Sequence, residues 1–126
     1  MRAIDTNVLV RLMTRDDSTQ VAAAEGFVQG GAWVSHLVLM ESVWVLDTVY
    51  DVKPDQIAAG VETLLDHDLI VVQEPEVVRA AVRHYRKYPT LGFSDCLILE
   101  VARHAGHLPL GTFDRGLSKL PGAQRL

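Results

Sequence analysis

The sequence has little that is typical of a secreted or membrane-spanning protein. Its one cysteine, Cys96, excludes an internal disulfide, so the fold does not depend on an oxidising compartment. The longest apolar stretch, LVLMESVWVL, is interrupted by Glu41 and falls well short of the roughly 20 residues of a membrane helix. Met1 leads straight into a strand-like run, without the basic and apolar segments of a signal peptide. We therefore expect a soluble, cytoplasmic protein that does not contact a membrane.

Positive charge is also scarce, and it is unevenly distributed. The net charge of −4 argues against a general nucleic-acid coat protein. Residues 1–75 carry four Lys or Arg against twelve Asp or Glu, whereas residues 76–126 carry eight against four. An acidic part that could bind cations thus adjoins a basic part that could hold a polyanion, although chance on a small surface explains the same asymmetry.

Strand-like and helix-like segments alternate along the chain. Short apolar runs at 2–4, 32–35, 69–73 and 108–113 predict strands, with an edge strand near 123–126. The segments between them begin with capping residues or proline and carry apolar residues at helical spacing. This alternation predicts a single α/β domain over residues 1–126, a sandwich around a mainly parallel sheet of four to five strands.

Two local features add detail to this prediction. The continuous apolar run LIVVQ predicts a strand that is buried on both faces. The segment SDCLILEVARHAG predicts a helix whose N-cap is Ser94 and whose last turn is stopped by Gly106.

Three aspartates lie where an α/β fold usually binds its ligand. Asp5 and Asp114 follow predicted strands, and ligands of open α/β sheets sit beyond the carboxyl ends of the strands. Asp95 lies in the first turn of a predicted helix. Each of the three also has a simpler explanation, because aspartate is a good N-cap and its charge is favourable near the positive end of a helix.

Glu41 is harder to explain in this way. Its helix is apolar on nearly every side, so we expect the carboxylate to be partly buried, and no Lys or Arg lies between Arg15 and Lys53 to pair with it locally. A divalent metal would explain all four acids together, since Mg²⁺ and Mn²⁺ prefer oxygen ligands. Without a Cys/His cluster, zinc is not expected. Such a site supports hydrolysis of a phosphodiester.

The same residues resemble a known family. DTN at residues 5–7, Glu41, GFSDC at 92–96 and TFD at 112–114 resemble the PIN domain, and most closely the VapC-type ribonuclease toxins of bacterial toxin–antitoxin pairs. The resemblance covers nearly the whole chain in the right order. DTN and GFSDC are its most specific parts, and Arg115 stands where a lysine is common in the family.

The resemblance implies a PIN-like three-layer sandwich and a metal-dependent endoribonuclease that leaves a 5′-phosphate and a 3′-hydroxyl. Asp5, Asp95 and Asp114 would ligate or closely approach Mg²⁺ or Mn²⁺. Glu41 would bind the metal directly or through water and help to orient the nucleophile. Supporting polar roles would fall to Thr6, Asn7 and Thr112. A homodimer and a small cognate antitoxin are implied as partners, besides the RNA substrate.

Four basic residues are candidates for contacts to RNA phosphates. Arg11 and Arg15 lie one helical turn apart shortly after the first acid, and Arg115 and Lys119 follow the last one. Phosphate contacts of this kind hold and orient a substrate without reading its sequence. A solvated helix face is the alternative for such residues.

Two other classes of protein remain open. A non-catalytic PIN fold would bind proteins only, and the four intact acids argue against it. A phosphorylation-receiver domain has a similar length, but it would need paired acids after its first strand and a lysine after its last core strand. Here the first strand ends in Asp5-Thr6, so we regard the receiver as the weaker alternative.

Overall fold

Alternating strands and helices run through all of residues 1–126, which the computed structural model describes in full. They form two units, Met1–Pro75 and Glu76–Leu126. The first unit contains β1 (Arg2–Ala3), α1 (Thr6–Thr14), α2 (Ser18–Val28), β2 (Ala32–Val34), α3 (His36–Thr48), α4 (Pro54–Leu65) and β3 (Ile70–Val72). Helix α5 (Pro75–Lys87) begins at the last residue of the first unit and continues into the second. The second unit also contains α6 (Phe93–Ala105), β4 (Leu110–Thr112) and β5 (Ala123–Arg125).

The first unit is built on a parallel three-stranded sheet in the order β1-β2-β3. In register, Arg2 lies opposite Ala32, and Ala32 lies opposite Ile70. Helix α1 packs on α2 and α3, while α4 packs on α3 and β3. Their buried faces include the fully enclosed side chains of Leu9, Leu39, Ile57 and Val61.

The second unit contains a parallel pair, β4 with β5, in which Leu110 lies opposite Ala123. One short 3₁₀ turn, Pro89–Leu91, precedes α6, and another, Leu117–Lys119, lies between β4 and β5. Its core cluster consists of buried Leu99, Leu117 and Leu120, against which Leu91, Leu110 and Ala123 pack.

The predicted α/β fold with parallel strands is confirmed, since every strand pair in the structure is parallel. The five strands lie within the predicted segments but are only two or three residues long, and they pair as a set of three and a set of two. The longest helices have 13 residues, and no helix is both long and apolar enough to cross a membrane.

Helix α3 is apolar on nearly every side, yet it is not enclosed by the fold. One of its faces is open to solvent, with Leu37 79% and Trp44 62% exposed, and Glu41 lies exposed on that same face. Leu39 and Leu46 are buried on the opposite side. The expectation that Glu41 is partly buried was therefore wrong. Apolar residues lie on the solvent side of this helix as well as on its inner side, so the sequence pattern does not show which side faces the core.

Two local predictions were also wrong. Val71 of β3 is 44% exposed, so this strand is buried on one face only. The N-cap of α6 is Gly92, not Ser94, and the helix already begins at Phe93. Gly92 has φ +77°, a left-handed conformation that glycine adopts without strain. The predicted stop at Gly106 is confirmed by its left-handed C-cap geometry.

Candidate active site

Asp5 ends β1 and caps α1. Its backbone is extended, and its Oδ1 accepts a hydrogen bond from the backbone N–H of Val8 at 3.1 Å. Helix capping, the simpler explanation of this residue, is therefore correct as far as one oxygen is concerned. The other carboxylate oxygen has no hydrogen-bond partner, so the cap fixes the orientation of Asp5 and leaves an oxygen available for a ligand.

Glu41 is brought to the same end of α1 by Thr6, the first residue of that helix. The Thr6 hydroxyl donates a short hydrogen bond to Oε1 of Glu41, and α1 packs directly on α3. Because Thr6 follows Asp5 in the chain, this hydrogen bond brings Glu41 to the N-terminal end of α1, where Asp5 is the cap. The hydroxyl holds one oxygen of Glu41 and leaves the second one open.

Asp114 is held in the turn after β4. Its Oδ2 accepts a hydrogen bond from the N–H of Leu117 at 2.7 Å, and its own N–H donates to the Thr112 hydroxyl at 3.0 Å. Gly116 lies close to this carboxylate, since a Cβ there would lie 3.3 Å from Asp114 Oδ2 and 2.7 Å from Leu91 Cδ2. Asp114 thus resembles Asp5, with one oxygen in a cap and the other without a partner.

Asp95 lies half-buried in the first turn of α6. Burial, and secondly the charge of Asp114, raise the pKa of the Asp95 carboxyl. No cation pairs with it, so its ionised form is disfavoured by its surroundings. The neighbouring Cys96 is a buried core residue. Burial raises the pKa of its thiol to about 11, so it does not act as a nucleophile near neutral pH.

The acids form two sets, Asp5 with Glu41 in the first unit and Asp95 with Asp114 in the second. No group of three or more His, Cys, Asp or Glu side chains is arranged to hold a metal ion. The chemistry of the donors nevertheless fits a hard divalent cation, since all are carboxylates and three of them have one oxygen held and one open. The joint action of all four acids stays a prediction.

Comparison with known proteins identifies the family. The family model of the PIN domain matches residues 3–123 of the 126. The chain belongs to the PIN domain family. The matched region runs through both units and includes the four acids. No curated protein matches the chain. The PIN domain is a nuclease fold that generally depends on divalent metal ions, so a hydrolase acting on nucleic acid is the activity to which this site corresponds.

Two of the predicted phosphate-binding residues of this PIN domain are engaged in internal contacts, and Arg11 is the more firmly held. Arg11 donates to Gln20 Oε1 at 2.6 Å, to the Tyr50 hydroxyl at 3.0 Å and to Asp16 at 3.3 Å. Hydrogen bonds from Tyr50 and Thr14 hold the pKa of the Asp16 carboxyl below its usual range. Sequence reasoning missed these partners, since no local pattern connects Arg11 with a tyrosine 39 positions away.

The other basic candidates differ in how they are held. Arg15 forms an ion pair with Glu25 at 2.5 Å at the exposed end of α1. Arg115 and Lys119 are close to Asp114 in the chain; Arg115 is exposed, Lys119 lies in the exposed turn that follows, and neither forms an ion pair. Among the four predicted phosphate-binding residues, Arg115 and Lys119 are thus the two whose charged groups have no ion-pair partner in the fold.

Asn7, one of the predicted supporting residues, is exposed in the first turn of α1. It makes no hydrogen bond to Asp5, whose capped oxygen is held by Val8 instead. The structure thus assigns the support of Asp5 to the backbone of α1 and leaves the Asn7 amide facing solvent.

A buried carboxylate in the second unit was also missed by sequence reasoning. Glu100 of α6 is buried, and its Oε1 lies 2.6 Å from Nε2 of His84 on α5. Arg103 donates to Glu100 Oε2 at 3.2 Å and to the carbonyl of Pro121. The i, i+3 spacing of Glu100 and Arg103 was the only signal in the sequence. Glu100 links two helices and the segment before β5, which is a structural role.

Proposed function

We propose that the protein is a metal-dependent endoribonuclease that hydrolyses RNA phosphodiester bonds with Mg²⁺ or Mn²⁺ as cofactor. The observation that carries the proposal is that Asp5, Glu41 and Asp114 each have one carboxylate oxygen held by the fold and the other open. Half-buried Asp95, which has Asp114 as a neighbouring charge and no cation to balance it, supports the same conclusion. A bound divalent cation would remove the penalty on its ionised form. The catalytic and metal-binding residues are Asp5, Glu41, Asp95 and Asp114.

The chain's own groups position these carboxylates. A divalent ion supplies Lewis-acid stabilisation of the phosphate and a more acidic water. The helix cap at Asp5 and the turn at Asp114 fix the direction of both side chains before a ligand arrives, and Thr6 fixes Glu41. The Thr112 hydroxyl accepts a hydrogen bond from the backbone N–H of Asp114 and so helps to hold that turn. Groups that hold metal ligands in this way preorganise the site for its ion.

The RNA backbone would be held mainly by the second unit. Residues 76–126 carry eight Lys or Arg against four Asp or Glu, and Arg115 and Lys119 supply the nearest charges to Asp114 along the chain. Arg11 and Arg15 support the substrate less directly, because their guanidinium groups already have partners in the fold. Charge of this kind attracts single-stranded RNA without selecting a sequence.

The test is a cleavage assay on a labelled single-stranded RNA with Mg²⁺, with Mn²⁺ and with EDTA. Asp95→Asn and Asp114→Asn are compared with Asp47→Asn, which removes an equal charge from an exposed site on α3. We expect metal-dependent cleavage that falls by about 100-fold or more in the first two variants and is unchanged in the third. Metal binding is measured in parallel by calorimetry.

The outcomes separate the competing functions. Cleavage lost in both site variants and retained in Asp47→Asn supports the nuclease. Binding of metal by the wild type without cleavage of any RNA, structured RNAs included, would contradict it. If neither metal binding nor cleavage is found, the acids are structural, and a non-catalytic PIN fold that binds proteins is the better description.

We further propose that the protein is a VapC-type toxin that acts in the cytoplasm as a homodimer and is inhibited by a small antitoxin. The resemblance of DTN, GFSDC and TFD to that group supports this role. Expression in a bacterial host should arrest growth, and Asp95→Asn should not, at equal protein levels. Light scattering should give twice the mass of the 13.9 kDa chain. Equal nuclease activity with and without saturating cognate antitoxin would contradict inhibition.

A further inference from the structure

A cavity of about 370 Å³ opens beside Asp5, between α1 and α2. Helix α2 contributes one face, at positions i, i+3, i+4 and i+7: Gln20, Ala23, Ala24 and Phe27. Helix α1 contributes Asn7, Val8 and Arg11, with Asp5 at its N-terminal end. The volume is within the range of small-ligand sites, and the cavity starts at a residue that we assign to catalysis.

The apolar part of this cavity, called the slot below, is lined by Val8, Ala23, Ala24 and Phe27. Ala23 and Ala24 present only methyl groups, so a planar group can approach α2 closely. The ring of Phe27 is held in place from outside the cavity, because the Arg2 guanidinium lies 3.8 Å from its centroid and donates to the Phe27 carbonyl at 3.2 Å. Phe27 lines the cavity, whereas Arg2 does not.

The polar part of the cavity has a fixed hydrogen-bond donor. Oε1 of Gln20 accepts from Nε of Arg11 at 2.6 Å, and a guanidinium can only donate, so the carbonyl end of the amide must face it. The NH₂ group of Gln20 is left as a donor with no partner in the fold. Asp16 and Tyr50 hold Arg11 and thereby hold the amide. Exposed Asn7 offers both a donor and an acceptor.

We propose that this cavity binds one unpaired nucleobase of the RNA substrate and that Gln20 is a specificity-determining residue, donating to a carbonyl oxygen or ring nitrogen of the base. The inference rests on the proposed nuclease function. A nucleobase is planar, has an apolar face and carries its acceptors on one edge, which matches the slot of small side chains and the fixed donor. Sequence-selective RNA-binding proteins read splayed-out bases in this way.

The first test measures base binding without cleavage. The wild-type protein is titrated with each of the four nucleoside 5′-monophosphates, and backbone amide shifts are followed by NMR. We expect shifts at Gln20 and Ala23, with one base bound about 2- to 10-fold more tightly than the others, the range for a single hydrogen bond. Ala23→Leu fills the slot from its exposed side and should abolish the shifts. Ala22→Leu, exposed on the same helix but outside the cavity, should not.

The second test measures base preference during cleavage of a randomised single-stranded RNA, read by sequencing the cut ends. Gln20→Glu keeps an acceptor for Arg11 but replaces the donor NH₂ with a second acceptor. We expect the preference at one position beside the cut to be lost or reversed by about 2- to 10-fold, with other positions unchanged. Gln56→Glu, an exposed substitution on α4, should keep the wild-type preference.

Failure of this inference and failure of the nuclease function give different results. Shifts at the cavity without RNA cleavage by the wild type would leave the base site standing and remove the nuclease. Cleavage with unchanged preference in both Gln20→Glu and Ala23→Leu, and no shift with any nucleotide, would overturn the base site alone. The base site would also be overturned if a protein partner shifted the amides of Gln20 and Ala23 and no nucleotide did.

Discussion

At the scale of a single residue, Asp5 has a structural role and a proposed chemical one, and its two oxygens separate them. One oxygen caps α1 through the N–H of Val8, and the other is open. Asparagine caps a helix as well as aspartate does, but it carries no charge for a metal. Substitutions at this position can therefore distinguish the requirement of the fold from the requirement of catalysis.

Asp5→Asn should abolish RNA cleavage with little change in stability, whereas Asp5→Ala should abolish cleavage and also lower the free energy of unfolding by about 1 kcal/mol, the usual value of an N-cap. Urea denaturation measures the second quantity. Equal stability of the two variants would show that the cap contributes nothing. Asp17→Ala, which removes the cap of α2, provides a stability control outside the proposed catalytic set.

Asp95→Asn should stabilise the protein while inactivating it. Burial and Asp114 raise the pKa of Asp95 in the folded state, so its contribution to stability is present below the unfolded pKa and is lost as pH rises through the folded pKa. Ionised Asp95 therefore opposes folding near neutral pH. In EDTA, we expect the variant to have the higher Tm at about pH 8, with the difference shrinking towards about pH 4.

Mg²⁺ gives an independent check on the same residue. A ligand that binds only the folded state raises Tm, so Mg²⁺ should raise the Tm of the wild type and of Asp47→Asn, but much less that of Asp95→Asn. The stability of the wild type is compared with that of Asp95→Asn at each pH. If the wild type were the less stable of the two by a larger margin at about pH 4 than at about pH 8, the sign would contradict this explanation.

At the scale of elements, the sequence predicts a helix well where polar and apolar residues alternate with a clear period. In α5, every residue that the helical spacing places on the inner face is buried: Val78, Ala81, Val82 and Tyr85. In α3 the prediction failed because Leu37 and Trp44 are apolar yet exposed. Composition alone does not orient a helix whose two faces are both apolar.

The candidate site shows the same limit. The order of the acids along the predicted strands and helices makes Asp5, Asp95 and Asp114 candidates, and their joint action stays a prediction. The contacts that hold them depend on distant residues or on backbone geometry. Thr6 meets Glu41 across 35 positions, and Gly92 enters α6 in a left-handed conformation, neither of which a local pattern encodes.

Helices α5 and α6 are linked by a buried carboxylate, and we expect the link to contribute to stability. His84→Ala removes the 2.6 Å contact to Glu100 Oε1 and leaves Arg103 as the remaining partner among these groups. The free energy of unfolding should fall by about 1–2 kcal/mol because a buried acceptor loses a hydrogen bond. Urea denaturation measures it, with exposed His107→Ala as the control. The same midpoint in both variants would contradict a stabilising link.

At the scale of the whole molecule, the division of charge follows the division of structure. The acidic part, residues 1–75, is the first unit, and the basic part, residues 76–126, is the second. The two sets of acids are thus carried by units of opposite net charge. A polyanionic substrate should be attracted to the second unit, and that attraction should weaken as salt is added.

RNA binding in EDTA should therefore weaken between about 50 and about 200 mM salt. The logarithm of the binding constant should fall with the logarithm of the salt concentration, with a slope of about 0.7 for each phosphate contacted on a single strand. The double variant Arg115→Ala, Lys119→Ala should lower this slope by about 1.4. Lys53→Ala removes a cation of the first unit that lies 3.7 Å from Asp51 and should leave the slope unchanged. Equal slopes for all three proteins would remove both residues from the binding surface.

The buried thiol of Cys96 has a practical consequence for such measurements. With a pKa of about 11, it is protonated and enclosed near neutral pH, so alkylating reagents should leave it unmodified in the folded protein. It is also the only cysteine in the chain. A cysteine introduced at exposed Gln56 would then carry the single reactive thiol, and one fluorophore could be attached there while the native residue stays in place.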